Sequence, residues 1–189
     1  NGHFVGRTDL LKQLSGRLSS PGMICLATAS GIPGVGKTHV VIELLHGTCS
    51  HKQIVWWLNA EGQTSIHLGL SELSVRMHTA TEVEASNDPI GTAKKAIRAL
   101  ENEIESWVSI FDNAESYDSI KQWLPLHGGV VLVTSRNSQW QDPIIVPPFK
   151  RHESIELFTK LIGEHSATDG ASEVAEALGD LPLAIAVAG

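Results

Sequence analysis

The sequence predicts an α/β fold: a mostly parallel five-stranded sheet with helices on both faces, joined to a small C-terminal helical subdomain. Three observations carry this. Five short apolar runs recur along the chain with helix-period segments between them, the alternation that builds parallel sheets. A glycine-rich stretch joins the first run to a helical pattern. From Phe149 onward the apolar residues keep helical spacing and no further strand-like run occurs.

Taken in order, Phe4-Val5-Gly6-Arg7 precedes a pattern in which Leu10, Leu11, Leu14 and Leu18 share one helix face, with Thr8 placed as its N-cap. Pro21-Gly22 turns the chain into the first strand, Met23 to Ala27, which Thr28-Ala29-Ser30 ends. After the glycine-rich loop, Val40, Val41, Leu44 and Leu45 recur at helical spacing until Gly47, a residue that can stop a helix. Ile54 to Leu58 is the second strand, and its Trp56-Trp57 pair is expected to pack in the sheet rather than stack on bases. Helices are expected over roughly Thr64 to Met77 and Pro89 to Glu105, the latter with Ile97, Leu100 and Ile104 on its apolar face. The polar stretch between them, Thr79 to Asp88, reads as a surface loop. Trp107 to Phe111 is the third strand, ending on Asp112; a short helix follows around Tyr117 to Trp123. Val130 to Val133 is the fourth strand and runs into Thr134-Ser135-Arg136, and Ile144 to Val146 is the fifth. Pro147-Pro148 divides a nucleotide-binding α/β domain, 1–148, from the start of a helical lid, 149–189. In that second part Ile155, Phe158 and Ile162 mark one helix, and Ala171, Val174, Ala175 and Leu178 a second that Gly179 ends. Pro182 is placed to open a third.

Composition narrows the function classes. With 189 residues, 42% hydrophobic and 19% charged, the chain can bury a sizeable core. A formal net charge of -7 argues against a broad nucleic-acid surface, so no direct nucleic-acid binding is expected from this domain. Cys25 and Cys49 form no disulfide or metal framework, and the nine histidines include no zinc-like set. No transmembrane or signal-like stretch is evident, and a reducing, cytoplasmic setting without a membrane partner is expected. The chain opens on Asn1 and stops inside the apolar run Leu181 to Ala188, which reads as an excised part of a longer protein.

The glycine-rich stretch is Gly31-Ile32-Pro33-Gly34-Val35-Gly36-Lys37-Thr38, a full match to the phosphate-binding P-loop, with the required strand before it and helix after it. Glycines let successive backbone N–H groups face inward as an anion nest at a helix N-terminus. Lys37 can then reach the β- and γ-phosphates, and the Thr38 hydroxyl can ligate Mg²⁺. The expected nucleotide contacts are Gly31, Pro33, Gly34, Val35, Gly36, Lys37, Thr38 and His39. The fold class is therefore that of the three-layer P-loop NTPases.

Such a loop needs a second metal-binding carboxylate from the end of another strand, and Asp112 stands there. Hydrolysis would need a base, for which Glu115 is the candidate because the nearer Asn113 cannot take a proton; the competing reading is that Glu115 caps the next helix or faces solvent. Arg136, just past the fourth strand, shares the carboxyl edge of the sheet and can read a γ-phosphate, or form a surface salt bridge. No Asn-Lys-x-Asp guanine-reading pattern occurs, so adenine is the expected base. Ser135 and Asp112 make no interpretable nucleophile triad.

Four segments in fixed order, Phe4 to Arg7, Gly31 to Thr38, Trp107 to Glu115 and Val130 to Arg136, together with Gly179-Asp180-Leu181-Pro182-Leu183-Ala184, resemble the NB-ARC branch of the STAND signalling ATPases. The last run is similar to that family's GLPLA motif, and Thr134-Ser135-Arg136 to its sensor motif. The resemblance implies a switch that holds ADP between the α/β domain and a helical lid, exchanges it for ATP, opens and self-associates. It implies that Pro182 lies near the adenine or ribose and that Val5 and Arg7 line the adenine side. It also implies sensor and effector domains elsewhere, in prokaryotic and fungal relatives often tetratricopeptide repeats, and a setting in defence or stress signalling. Many relatives carry a second acidic residue where this chain has Asn113, so slow hydrolysis is expected. The alternatives are a transcription regulator whose DNA-binding module lies outside the chain, and a P-loop kinase for a small acceptor.

Overall fold

A computed structural model describes residues 4–29, 31–49, 52–163 and 170–189. Asn1 and Ser30, both used in the sequence reading, lie outside the described residues. The elements run α1 (Thr8–Arg17), β1 (Gly22–Ala27), α2 (Lys37–Thr48), β2 (Ile54–Asn59), α3 (Gln63–Arg76), α4 (Glu82–Asn87), α5 (Pro89–Asn102) and β3 (Trp107–Asp112). They continue with α6 (Tyr117–Ile120) and a 3₁₀ turn at Lys121–Trp123, then β4 (Val130–Thr134), β5 (Ile144–Ile145), α7 (Arg151–Ile162), α8 (Ala171–Ala177) and α9 (Pro182–Ala188).

The five strands form one sheet in the order β2-β3-β4-β1-β5, and every pairing is parallel. Because side chains alternate across a strand, the apolar runs feed two cores. Trp107 and Phe111 of β3 join Cys25, Val131 and Val133 beneath α3 and α5. Val108 and Ile110 join Ile24, Leu26, Val130 and Leu132 beneath α1 and α2. Parallel pairing brings the carboxyl ends of β1, β3 and β4 to one edge, where ligand sites form in such sheets. Trp56 and Trp57 pack against opposite cores from the edge strand β2, and the Trp56 Nε1–H donates to the Gly69 carbonyl at 3.0 Å. Both cysteines are buried and free.

The sequence reading needs three corrections. Thr79 to Asp88 is not a plain loop but contains α4, because Thr81 and Glu84 form a reciprocal capping box. Asp88 then caps α5, with Pro89 at its first position. Thr8 is the first helical residue rather than the N-cap; that place belongs to Arg7, at φ 60 and without a side-chain cap. Gly47 does not stop α2, which runs on to Thr48.

The C-terminal helices build a third, smaller core from Leu157 and Ile185, backed by Phe149, Phe158, Leu161 and Leu178. Val5, from the opposite end of the chain, is part of it. These helices are knit by Arg151, whose Nε and Nη2 meet the two Asp180 carboxylate oxygens at 2.9 and 3.0 Å while Ser154 Oγ donates to Oδ1 at 2.7 Å. The Arg151 pairing holds the Asp180 carboxyl below its ordinary range. The Asp180 carbonyl accepts from the Phe149 N–H at 2.9 Å, so the turn before α9 and the entry to α7 are fixed together.

Gly129 shows how tightly β4 enters the sheet. A Cβ there would lie 2.3 Å from Trp107 Cδ2 and 2.5 Å from the Trp107 backbone oxygen. Since Trp107 is fully buried and bonded to the Leu100 carbonyl, neither neighbour can retreat. Gly129→Ala should lower stability by about 2 kcal/mol, read as a shift in the urea midpoint at unchanged slope.

Candidate functional site

The P-loop closes through backbone conformations that a side chain would oppose. Gly31, Gly34 and Gly36 have φ of 68, 81 and 90, and Gly36 is the left-handed N-cap from which α2 starts. Lys37 opens the helix and is 8% exposed. Burial depresses the Lys37 ammonium's pKa, and repulsion from Arg136 lowers it further; Asp112 and Cys25 offset part of this. The same burial pushes the Cys25 thiol up to about 12, so it is no nucleophile.

Thr38 follows, and its hydroxyl donates to Asp112 Oδ1 at 3.1 Å. That oxygen also accepts from Thr134 Oγ1, which in turn accepts the Asn113 N–H at 2.9 Å. Loop, β3 end and β4 end are thus tied at one carboxylate. A hydroxyl and a carboxylate this close are hard oxygen donors that fit Mg²⁺, an ion bound by few protein ligands and completed by phosphate and water. No cluster of three or more His, Cys, Asp or Glu that could hold a metal exists among the described residues.

The loop borders a cavity of about 720 Å³, a size suited to a small molecule. Of the residues read from the sequence, Val5, Arg7, Pro33, Gly34, Val35, Gly36, Lys37, Thr38, His39, Arg136 and Pro182 line it. Gly31 and Asp112 do not; Asp112 stands behind Thr38. Glu115 also lies outside. Asn113, at φ 63, turns the chain after β3, and Ala114 N–H returns to the Thr134 carbonyl at 2.9 Å, leaving Glu115 exposed and away from the cavity. Ser116, not Glu115, caps α6.

The carboxylate that does line the cavity is Glu61, which sequence reasoning missed. Its place follows from the sheet: Asn59 pairs with Asp112, the Ala60 N–H donates to the Asp112 carbonyl at 2.7 Å, and Asn59 Oδ1 accepts the Glu61 N–H at 3.0 Å. Glu61 Oε1 lies 4.0 Å from Arg136 Nη2, both side chains being 63% exposed. The Arg136 backbone is anchored to the end of β1, its carbonyl accepting the Thr28 hydroxyl at 3.1 Å. Ser135 is buried and donates to the Ala114 carbonyl at 2.7 Å, so it is a structural residue.

Apolar side chains also line the cavity: Phe4, Phe149, Leu157, Leu161, Leu183 and Ala186. These were also unread as site residues. Arg7 lines it from a left-handed backbone; its Nη2 donates to the Val35 carbonyl at 3.1 Å and its guanidinium lies 4.9 Å from the Phe149 ring centre. The Leu183 N–H donates to the Gly34 carbonyl at 3.1 Å.

The sheet order and the loop at the end of β1 define a P-loop NTPase fold, and solved structures agree. A Walker-type ATPase of Pyrococcus abyssi superposes with a TM-score of 0.63 at 11% identity, over 97% of this chain and 66% of that one. Cdc6p from Pyrobaculum aerophilum gives 0.66 at 15%, over 95% and 59%. Domain III of the replication initiation protein DnaA from Thermotoga maritima gives 0.56 at 13%, over 98% and 83%. No protein-family model matches the chain. Among curated proteins it is similar to the regulatory protein AfsR of Streptomyces griseus, 27% identical over 209 residues, and to that of Streptomyces coelicolor, 28% over 214 residues. Each alignment takes in 98% of this chain and 20% of the relative, so the chain spans about a fifth of their length.

A buried ammonium beside a second cation is a standing cost without an anion to face it. Its sign with pH follows from the depressed pKa. The cost is complete below the folded value and disappears as pH rises past the ordinary lysine value of 10.5, because the unfolded chain binds the proton more tightly. Lys37→Met should therefore raise ligand-free stability at pH 7 by roughly 1 kcal/mol, measured by urea unfolding, with the gain shrinking near pH 11.

Proposed function

We propose that the chain is the ATP/ADP-binding switch of a longer regulatory protein, of the NB-ARC and STAND type, with slow hydrolysis as its resetting step. The observation that carries this is the joining of the P-loop to the C-terminal helices at one cavity: Leu183 bonds the loop at Gly34, and Pro182 and Arg7 line the same cavity. A nucleotide held there would touch both parts at once, and 149–189 would serve as the lid of the 1–148 domain.

In this reading Gly34, Val35 and Gly36 cradle the phosphates, Lys37 neutralises them, Pro33 and His39 flank the nest, and Gly31, outside the cavity wall, turns the chain into the loop. Val5, Arg7 and Pro182 form the adenine side. Thr38 and Asp112 would hold Mg²⁺, which neutralises phosphate charge when bound. Arg136 reads the γ-phosphate; because that contact exists only with ATP, it biases one arrangement of the lid over the other. Glu115, exposed outside the cavity, is poorly placed as a base, and the amide of Asn113 at the cavity wall supports slow turnover.

Both AfsR relatives are named regulatory proteins and are about five times as long, which supports a switch that governs modules outside this chain. It favours, as a second reading, a nucleotide-switched transcription regulator with its DNA-binding module elsewhere, since the net charge of -7 here does not suit phosphate backbones. Self-association on activation and a cytoplasmic setting belong to the same proposal. No helix among the described residues is long and apolar enough to cross a membrane.

Calorimetry with ATP and ADP tests the reading. Lys37→Ala should abolish tight binding of both with the fold retained, and unchanged affinity would remove the P-loop role. Arg136→Ala should weaken ATP about tenfold more than ADP, as loss of one charged contact does; equal losses would remove the sensor role.

A further inference from the structure

Two successive peptides of the phosphate loop are held from outside by groups the loop's own sequence does not supply. The Gly34 carbonyl accepts from Leu183 N–H of α9, and the Val35 carbonyl accepts from Arg7 Nη2, each at 3.1 Å. A trans peptide is planar, with its C=O and N–H pointing to opposite sides. Holding the Gly34 oxygen therefore turns the Val35 N–H away from Leu183, and holding the Val35 oxygen turns the Gly36 N–H away from Arg7. These are two of the amides from which an anion nest is made.

Arg7 does not reach Val35 by local preference. It occupies an N-cap position, where Ser, Thr, Asp or Asn would cap and the backbone is normally extended, yet it has φ 60 and caps nothing. Left-handed backbone at a non-glycine residue persists only where surroundings enforce it. Here the enforcing group is Glu153, in the first turn of α7 and 8% exposed. Its Oε1 accepts the Arg7 N–H at 2.8 Å, across 146 residues of sequence, while Oε2 accepts the Lys150 N–H at 2.8 Å. The fit excludes a side chain on the preceding residue, since a Cβ on Gly6 would fall 2.1 Å from Glu153 Oε1. Phe149, two residues before α7, lies against the guanidinium itself.

We propose that Glu153 is a positioning residue for phosphate binding: by fixing Arg7 it orients the Val35–Gly36 peptide, so that α7 sets the geometry of the phosphate nest. The inference rests on the nucleotide-binding reading above but assigns Glu153 to the polyphosphate moiety, whichever base accompanies it. Docking of the C-terminal helices is then a condition for a competent loop as well as a cover over a bound base.

The test compares ADP with inorganic tripolyphosphate, each displacing a fluorescent ADP analogue, on wild type, Glu153→Gln, Glu153→Ala, Arg7→Met and the Arg7→Met/Glu153→Ala double variant. Glu153→Ala should weaken tripolyphosphate on the order of tenfold and ADP by at least that factor, since Arg7 also borders the base side. Glu153→Gln keeps one acceptor oxygen and should fall between. The double variant should bind no more weakly than the worse single one, as expected of residues acting through one contact. In amide spectra the Gly36 signal should move in both Glu153 variants. Weakened ADP with unchanged tripolyphosphate would place Glu153 on the base side and overturn the inference, as would additive losses. Should Glu153→Ala not fold, the Gln variant and its Gly36 signal decide the matter. Wild type that binds neither ligand overturns the nucleotide reading itself, a result distinct from a wild type that binds and variants that do not differ.

Discussion

The site is built around a buried positive charge. Lys37 is held at the start of α2 with little solvent, Arg136 adds a second cation, and Asp112 answers only part of the excess. Charges taken out of water are costly unless paired, so such an arrangement persists in a fold whose ligand brings the missing anions. The positive-φ glycines before Lys37 serve the same end: they bring backbone N–H groups to the helix N-terminus, where partial positive charge already accumulates. Everything else at this edge of the sheet steadies those groups. Thr134 and Thr38 share the Asp112 oxygen, Thr28 holds the Arg136 carbonyl, and Ala60 is pinned to the Asp112 carbonyl so that Glu61 faces Arg136.

The remaining half of the cavity comes from the two ends of the chain. Val5 leaves the sheet cores and joins Leu157 and Ile185, while Phe149 packs under Arg7. The C-terminal helices are stiffened by their own ion pair, Arg151 with Asp180, at the turn that carries Leu181 and Pro182 toward the loop. Among the described residues, polar links run from Leu183 to Gly34, from Arg7 to Val35 and from Glu153 to Arg7. In the proposed switch, contacts of this kind would be made in one arrangement and lost in another.

Much of this was legible before any coordinates. All five strands were readable as short apolar runs, the central β1, β3 and β4 because parallel strands buried on both faces are continuously apolar, and the P-loop because its glycines, lysine and threonine are dictated by local backbone and phosphate chemistry. The helix within Thr79 to Asp88 was missed although Thr81-x-x-Glu84 is a capping signal, because it carries no apolar stripe. Glu115 was named because it stands three residues from Asp112 in the chain, and Glu61 was missed because it is near only through the pairing of β2 with β3.

By itself, then, the sequence determined which backbone could form: the strand periods, the glycine positions of the loop, the lysine and hydroxyl that follow, and the carboxylate that ends β3. These are short-range matters, settled by steric and hydrogen-bonding preferences within a few residues. Tertiary structure alone decided which carboxylate faces Arg136, that Val5 joins the C-terminal core, and that a glutamate of α7 holds the arginine that braces the loop. Arg7 and Glu153 meet across 146 residues of chain, and only the closing of the sheet and its helices brings them within a hydrogen bond.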